Sequence, residues 1–143
     1  MPTVGIFYVQ SGSVPQEVLV LSVPMFLVCF NLLLLNAFPD VEADSKNGRK
    51  NIPILLGRRK AGYVYVFVVL ATAASILAGV YLFGLPAGVL LALLPTVLVY
   101  DLFRRFLFGK DPGVTNENHL YHTAWTIVTP VFVSVGLLVS LPY

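Results

Sequence analysis

The chain has 143 residues, of which 57% are hydrophobic and only 11% charged, with 9 Lys and Arg against 7 Asp and Glu. A water-soluble globule carries about 25% charged residues, so this composition excludes one, together with a disordered chain, and a mean hydropathy of +0.84 points to an integral membrane protein. The single cysteine, Cys29, excludes an internal disulfide, and the net charge of +2 builds no nucleic-acid face, because the basic residues are confined to two loops.

In chain order, residues 1–9 are apolar but too short for a bilayer, which takes about 20 apolar residues to cross. Residues 18–38 form the first predicted span, interrupted only by Ser22, Pro24, Asn31 and Asn36. Asn31, at membrane depth, is expected to face other helices rather than lipid. The polar stretch 39–62 follows, and then an uncharged second span over 63–83. Gly84-Leu-Pro-Ala-Gly88 reads as a tight hairpin into a third span over 85–103, with a kink expected at Pro95 and an i,i+4 ion pair between Asp101 and Arg105. A turn at 109–113 leads to a fourth span over 123–141, which contains Pro130. Strands that cross a membrane need only about 9–11 alternating residues, and these runs are longer and do not alternate. The fold class is therefore all-α: a multi-pass transmembrane helix bundle of four complete spans plus a partial one. Tyr63, Tyr65, Tyr81, Tyr100, Tyr121, Trp125 and Tyr143 fall near the predicted span ends and read as an aromatic belt. His119 and His122 lack the converging ligands that a zinc site needs.

All nine basic residues lie in two stretches: Lys46, Arg49, Lys50, Arg58, Arg59 and Lys60 in the first, Arg104, Arg105 and Lys110 in the second. Four spans put both stretches on one side, and the positive-inside rule makes that side cytoplasmic. No basic residue precedes the apolar N-terminal stretch, so no cleavable signal peptide is expected.

The first of these loops carries the chemistry. In Asn36-Ala-Phe-Pro-Asp40-Val-Glu-Ala-Asp44-Ser-Lys-Asn-Gly48, three polar residues recur every four positions, and on a helix residues four apart share a face. Two carboxylates pointing the same way repel unless a cation sits between them. Mg²⁺ suits the pair, since it takes hard oxygen ligands and is usually held by one or two carboxylates plus substrate phosphates. Asp40 and Asp44 are thus the candidate catalytic and metal-ligating residues, and Asn36 could orient the first of them or a metal-bound water. Arg49 and Lys50, with Arg58, Arg59 and Lys60 behind, suit a diphosphate, whose oxygens need cations as well as the metal. Glu42 falls off the shared face, and Pro39 fits the first turn of a new short helix.

The phrase Asn36-x3-Asp40-x3-Asp44-x3-Gly48, followed by Asn51-Ile-Pro-Ile-Leu-Leu-Gly57-Arg-Arg-Lys-Ala61, resembles the second aspartate-rich motif of UbiA-superfamily prenyltransferases, closest to the 1,4-dihydroxy-2-naphthoate polyprenyltransferase branch. Gly5-Ile-Phe-Tyr-Val-Gln-Ser-Gly12 is similar to a segment further upstream in that family. The resemblance implies a nine-helix bundle in which two aspartate-rich motifs bind Mg²⁺ and diphosphate, an isoprenyl chain lies in an apolar channel, and an aromatic acceptor captures the allylic carbocation, as in menaquinone synthesis. It further implies that Asp40 and Asp44 hold Mg²⁺, that Asn36 supports them, and that Arg49 and Lys50 steady the diphosphate. Two departures stand out. Arg49-Lys50-Asn51 replaces a common Lys-Arg-Thr, which keeps the charge but loses a hydroxyl. A first aspartate-rich motif is absent, since outside the loop the acids are Glu17, Asp101, Asp111 and Glu117. The expectation is a single membrane domain over residues 1–143, the C-terminal portion of such an enzyme, with the N-terminal half of the site missing and no activity alone. The competing reading is a non-catalytic small multi-pass subunit or transporter-like protein. A CDP-alcohol phosphotransferase is set aside because its D-G-x-x-A-R motif is missing.

Overall fold

In lipid, a backbone has no water to bond to and must satisfy its polar groups within a helix or a closed barrel. The computed structural model, which describes residues 2–109 and 114–140, resolves that choice as helix in every span. The elements are α1 (Pro2–Ser11), α2 (Gln16–Asn36), α3 (Val41–Lys46), α4 (Ile52–Leu56), α5 (Arg58–Tyr81), a 3₁₀ helix (Ala87–Val99), α6 (Tyr100–Phe108) and α7 (Asn116–Val139). No strand occurs among the described residues. Four helical stretches are long and apolar enough to cross a membrane: Gln16–Asn36, Arg58–Tyr81, Ala87–Phe108 and Asn116–Val139. The turn expected at 109–113, apart from Gly109, and Leu141, the last residue of the fourth predicted span, lie outside the described residues.

The four expected spans are present, but their ends move. The third helix runs on to Phe108, beyond the predicted 103, carried by the i,i+4 pair Arg105 Nε to Asp101 Oδ2 at 2.8 Å. The fourth begins at Asn116 rather than 123. There the Thr115 hydroxyl accepts from the Asn118 amide while Asn118 Oδ1 accepts from the Thr115 amide, a reciprocal cap that satisfies two orphan donors. Hydropathy finds where a helix enters lipid; capping chemistry sets where the helix ends.

Hydroxyls inside the spans are satisfied by their own helix: Thr72 donates to Val68 O at 2.8 Å and Thr129 to Trp125 O at 2.7 Å. Two core clusters result. At the acidic-loop end, Leu35, Phe38, Tyr65, Phe106 and Trp125 pack together; at the hairpin end, Ile76, Leu85, Val89, Ala92 and Val133 do so. The 3₁₀ helix and α7 pack most closely, where Gly88 crosses Gly136. A Cβ on either glycine would collide with the backbone carbonyl of the other, so only glycine lets the two backbones approach this far. Between 28% and 39% of each span is buried, and residues such as Leu33, Phe67, Val97 and Ile127 are exposed. That apolar exterior fits a chain solvated by lipid rather than water.

Candidate active site

Asn36 is the last residue of α2 and is exposed. The helix closes there in a turn, with the Ala37 amide donating to Leu34 O at 3.2 Å and the Phe38 amide to Leu35 O at 3.1 Å. Pro39 restricts the backbone of the residue before it. Phe38 is wholly buried, its ring 5.0 Å from that of Phe106, and so pins the turn to the bundle. Asn36, Asp40 and Asp44 therefore do not lie on one continuous helix, as their spacing suggested. The turn separates Asn36 from the acids, and the new helix α3 opens at Val41, after Pro39 rather than around it. Between the acids the helical interval holds: the Asp44 amide donates to Asp40 O at 2.8 Å.

The C-terminus of α3 explains the glycine. Gly48 has φ of 71°, a left-handed conformation that costs a residue with a Cβ. Its amide donates to Ser45 O at 3.1 Å and the Arg49 amide to Asp44 O at 3.0 Å, the paired bonds of a Schellman motif. This reversal brings Arg49 back over Asp44, whose Oδ1 accepts from Arg49 Nη1 at 3.1 Å. The other oxygen, Oδ2, accepts from Asn51 Nδ2 at 3.2 Å. Asn51 in turn caps α4, its Oδ1 accepting from the Ile54 amide at 3.0 Å, and the buried Pro53 seats that short helix. The Asp44 side chain is 18% exposed and that of Arg49 74%.

Asp40 is exposed, and its carboxylate has no hydrogen-bond or ion-pair partner among the described residues; Glu42 and Lys50 are exposed likewise. Arg59 donates through Nε to the Tyr63 hydroxyl at 3.2 Å. Beside the loop lies an apolar recess of about 230 Å³, lined by Phe30, Leu33, Leu34, Asn51, Ile52 and Pro53. Among the described residues, no group of three or more His, Cys, Asp or Glu could hold a metal by itself.

Beneath the loop is a polar layer that sequence reasoning missed in part. Asn31 is wholly buried, as expected, and donates through Nδ2 to Tyr65 O at 3.2 Å. The Tyr65 hydroxyl bonds His122 Nδ1 at 2.8 Å, and the His122 ring meets Trp125 edge-on at 5.1 Å. Tyr65, His122 and Trp125 are all wholly buried. Tyr65 and Trp125 thus belong to the core and not to an aromatic belt, and His122 ties α7 to α5 rather than pairing with His119. Tyr65 is seven residues into α5, roughly 10 Å along its axis, so this layer supports the loop from below. The N-capping role of Asn51 was readable in advance, since Asn followed by an apolar residue and Pro is a helix-start signal.

The fold and this loop define a polytopic α-helical membrane protein with an acidic site at one end of its bundle. The chain belongs to the UbiA prenyltransferase family, which matches residues 1–127. It is 46% identical over 55 residues to a digeranylgeranylglyceryl phosphate synthase of Thermococcus gammatolerans, a match covering 38% of this chain and 20% of that protein. It is 29% identical over 79 residues to a 1,4-dihydroxy-2-naphthoate octaprenyltransferase of Bacillus subtilis, covering 55% of this chain and 24% of that protein. The matches thus span about a quarter or less of each relative's length. No solved structure matches the chain.

Proposed function

We propose that this chain supplies one acid-rich half of a Mg²⁺-dependent prenyltransferase site, at which an isoprenyl chain passes from a prenyl diphosphate to an aromatic acceptor. One observation carries the reading: an anchored carboxylate, Asp44, stands one helical turn from an open one, Asp40. Two hard oxygen donors, with no group of three or more His, Cys, Asp or Glu able to hold a metal among the described residues, suit a partly hydrated Mg²⁺ shared with phosphate oxygens, not an ion enclosed by protein. Such an ion, when bound, would draw charge from the departing diphosphate. Asp40 and Asp44 would ligate it, Asn36 would stand at the lip of the site, and the exposed Lys50 would meet the diphosphate. Arg49 is mostly exposed and held by one bond, so it could turn from Asp44 to phosphate. The recess beside Asn51 offers an apolar start for the isoprenyl chain.

On this reading the chain is the C-terminal portion of a nine-helix UbiA bundle, and a missing N-terminal half brings the first aspartate-rich motif. The basic loops, and the site with them, face the cytoplasm by the positive-inside rule. The Bacillus relative's name supports 1,4-dihydroxy-2-naphthoate as acceptor and hence a place in menaquinone synthesis; the Thermococcus relative's name makes a glyceryl phosphate lipid the necessary comparison.

The test is transfer of a radiolabelled prenyl diphosphate in membranes, with Mg²⁺ and either acceptor. The chain is used alone or joined in frame to the N-terminal part of a UbiA relative. Transfer to the naphthoate is expected only from the joined protein, and it should fall at least a hundredfold in Asp44→Asn if the metal ligand is lost. Transfer that survives neutralisation of both Asp40 and Asp44 would contradict the reading. A folded, joined protein that transfers to neither acceptor would favour a non-catalytic membrane subunit.

A further inference from the structure

Asp44 is the more constrained of the two acids, and its two oxygens are constrained differently. Arg49 reaches Oδ1 from an exposed side chain with no other bond to hold it among the described residues. Asn51 reaches Oδ2 from a half-buried position, and its own amide oxygen is committed to the Ile54 amide at 3.0 Å. That second bond fixes the plane of the Asn51 amide, so its NH₂ can point only where the start of α4 aims it. The direction is toward Asp44, seven residues back in the chain and on a different helix. A carboxylate offers about four lone-pair sites, so one bond from Asn51 orients the group without exhausting its capacity to bind a cation.

We infer that Asn51 is a positioning residue: it locks the Asp44 carboxylate in the orientation that ligates the divalent cation, and so couples the seating of α4 to the geometry of the metal site. This rests on the proposed role of Asp44 as a ligand. An asparagine amide can cap the helix through its oxygen and hold the aspartate through its nitrogen, with one more atom of reach than a hydroxyl. Groups that orient metal ligands typically contribute 10–100-fold in metal affinity or activity when lost.

Serine caps a helix as well as asparagine does but is too short to span to Asp44, so Asn51→Ser separates the two roles. The experiment is titration of Mn²⁺ alone, read by electron paramagnetic resonance, against the purified chain in lipid nanodiscs, with thermal unfolding measured on the same samples. Asn51→Ser is expected to weaken Mn²⁺ about tenfold with an unchanged unfolding midpoint, and Asn51→Ala to weaken it equally while lowering the midpoint. Wild-type affinity in Asn51→Ser would overturn the inference and leave Asn51 as a cap only. Asn51→Thr, which keeps the cap with an equally short side chain, replaces the serine variant should that fail to fold. Asp44→Asn tests the foundation separately. If it binds Mn²⁺ as tightly as wild type, or if the wild type binds none, the metal-ligand reading of Asp44 falls, whatever Asn51 does.

Discussion

The interval of four residues means one thing between Asp40 and Asp44 and another between Asp44 and Gly48. The first is a helical turn, closed by the Asp44 amide on Asp40 O. The second is the length of a helix ending: Gly48, in the left-handed region, lets the chain turn back and lay Arg49 on Asp44. A periodic pattern in the sequence therefore encodes a turn of helix followed by its stop, and the extension of the same period back to Asn36 is broken by the turn at 37–40. Pattern alone cannot distinguish these cases, because the restricted backbone at Pro39 and the left-handed freedom of Gly48, not side-chain spacing, decide them. Putting a Cβ at Gly48 should cost about 1–2 kcal/mol in this conformation. Gly48→Ala is thus expected to speed hydrogen exchange at the Arg49 amide roughly tenfold; an unchanged rate would mean that the reversal is not strained.

Along the helices, the buried positions follow the geometry of each winding. On α5 they include Ala61, Tyr65, Val68, Thr72, Ile76 and Gly79, and on α7 they are Asn118, His122, Trp125, Thr129, Val133 and Gly136; both sets step by three and four, as helices packed side by side require. In the 3₁₀ helix, Val89, Ala92 and Pro95 step by three, matching three residues per turn, and Val99 follows four further on, where the chain passes into α6. Beside apolar residues these inward stripes carry Thr72, Gly79, Asn118, His122, Thr129 and Gly136, because in lipid polar groups turn inward. The four spans were legible from hydropathy, whereas Tyr65 and Trp125 were misassigned because an aromatic near a span end suits either belt or core. The companions of Trp125 at His122, Thr129 and Gly136 are the signal that separates the two. At the Gly88–Gly136 crossing, a methyl added to Gly136 would meet the backbone of Gly88 and Val89. Gly136→Ala is expected to lower unfolding stability in detergent by about 1–3 kcal/mol, while Gly5→Ala, where a Cβ meets nothing, leaves it unchanged. Equal stability of the two variants would show that the crossing is looser than described.

As a whole molecule, the chain is an integral membrane protein of the UbiA prenyltransferase family. Composition gave its class, and one loop, read as residue types at fixed intervals, pointed to its family. The clamp on Asp44 could not be read in the same way, since it depends on two helix ends meeting across a turn. Neither could the Asn31–Tyr65–His122 layer, which joins positions up to 91 residues apart on three helices. The central claim is that Asp40 and Asp44 bind a diphosphate through a divalent ion. Its most direct test is equilibrium binding of radiolabelled geranylgeranyl diphosphate to the nanodisc-embedded chain, with Mg²⁺ or with chelator, for the wild type and the Asp40→Asn/Asp44→Asn double variant. The account predicts binding that depends on Mg²⁺ in the wild type and a loss of that dependence in the double variant. Binding of equal strength in all four conditions would contradict it.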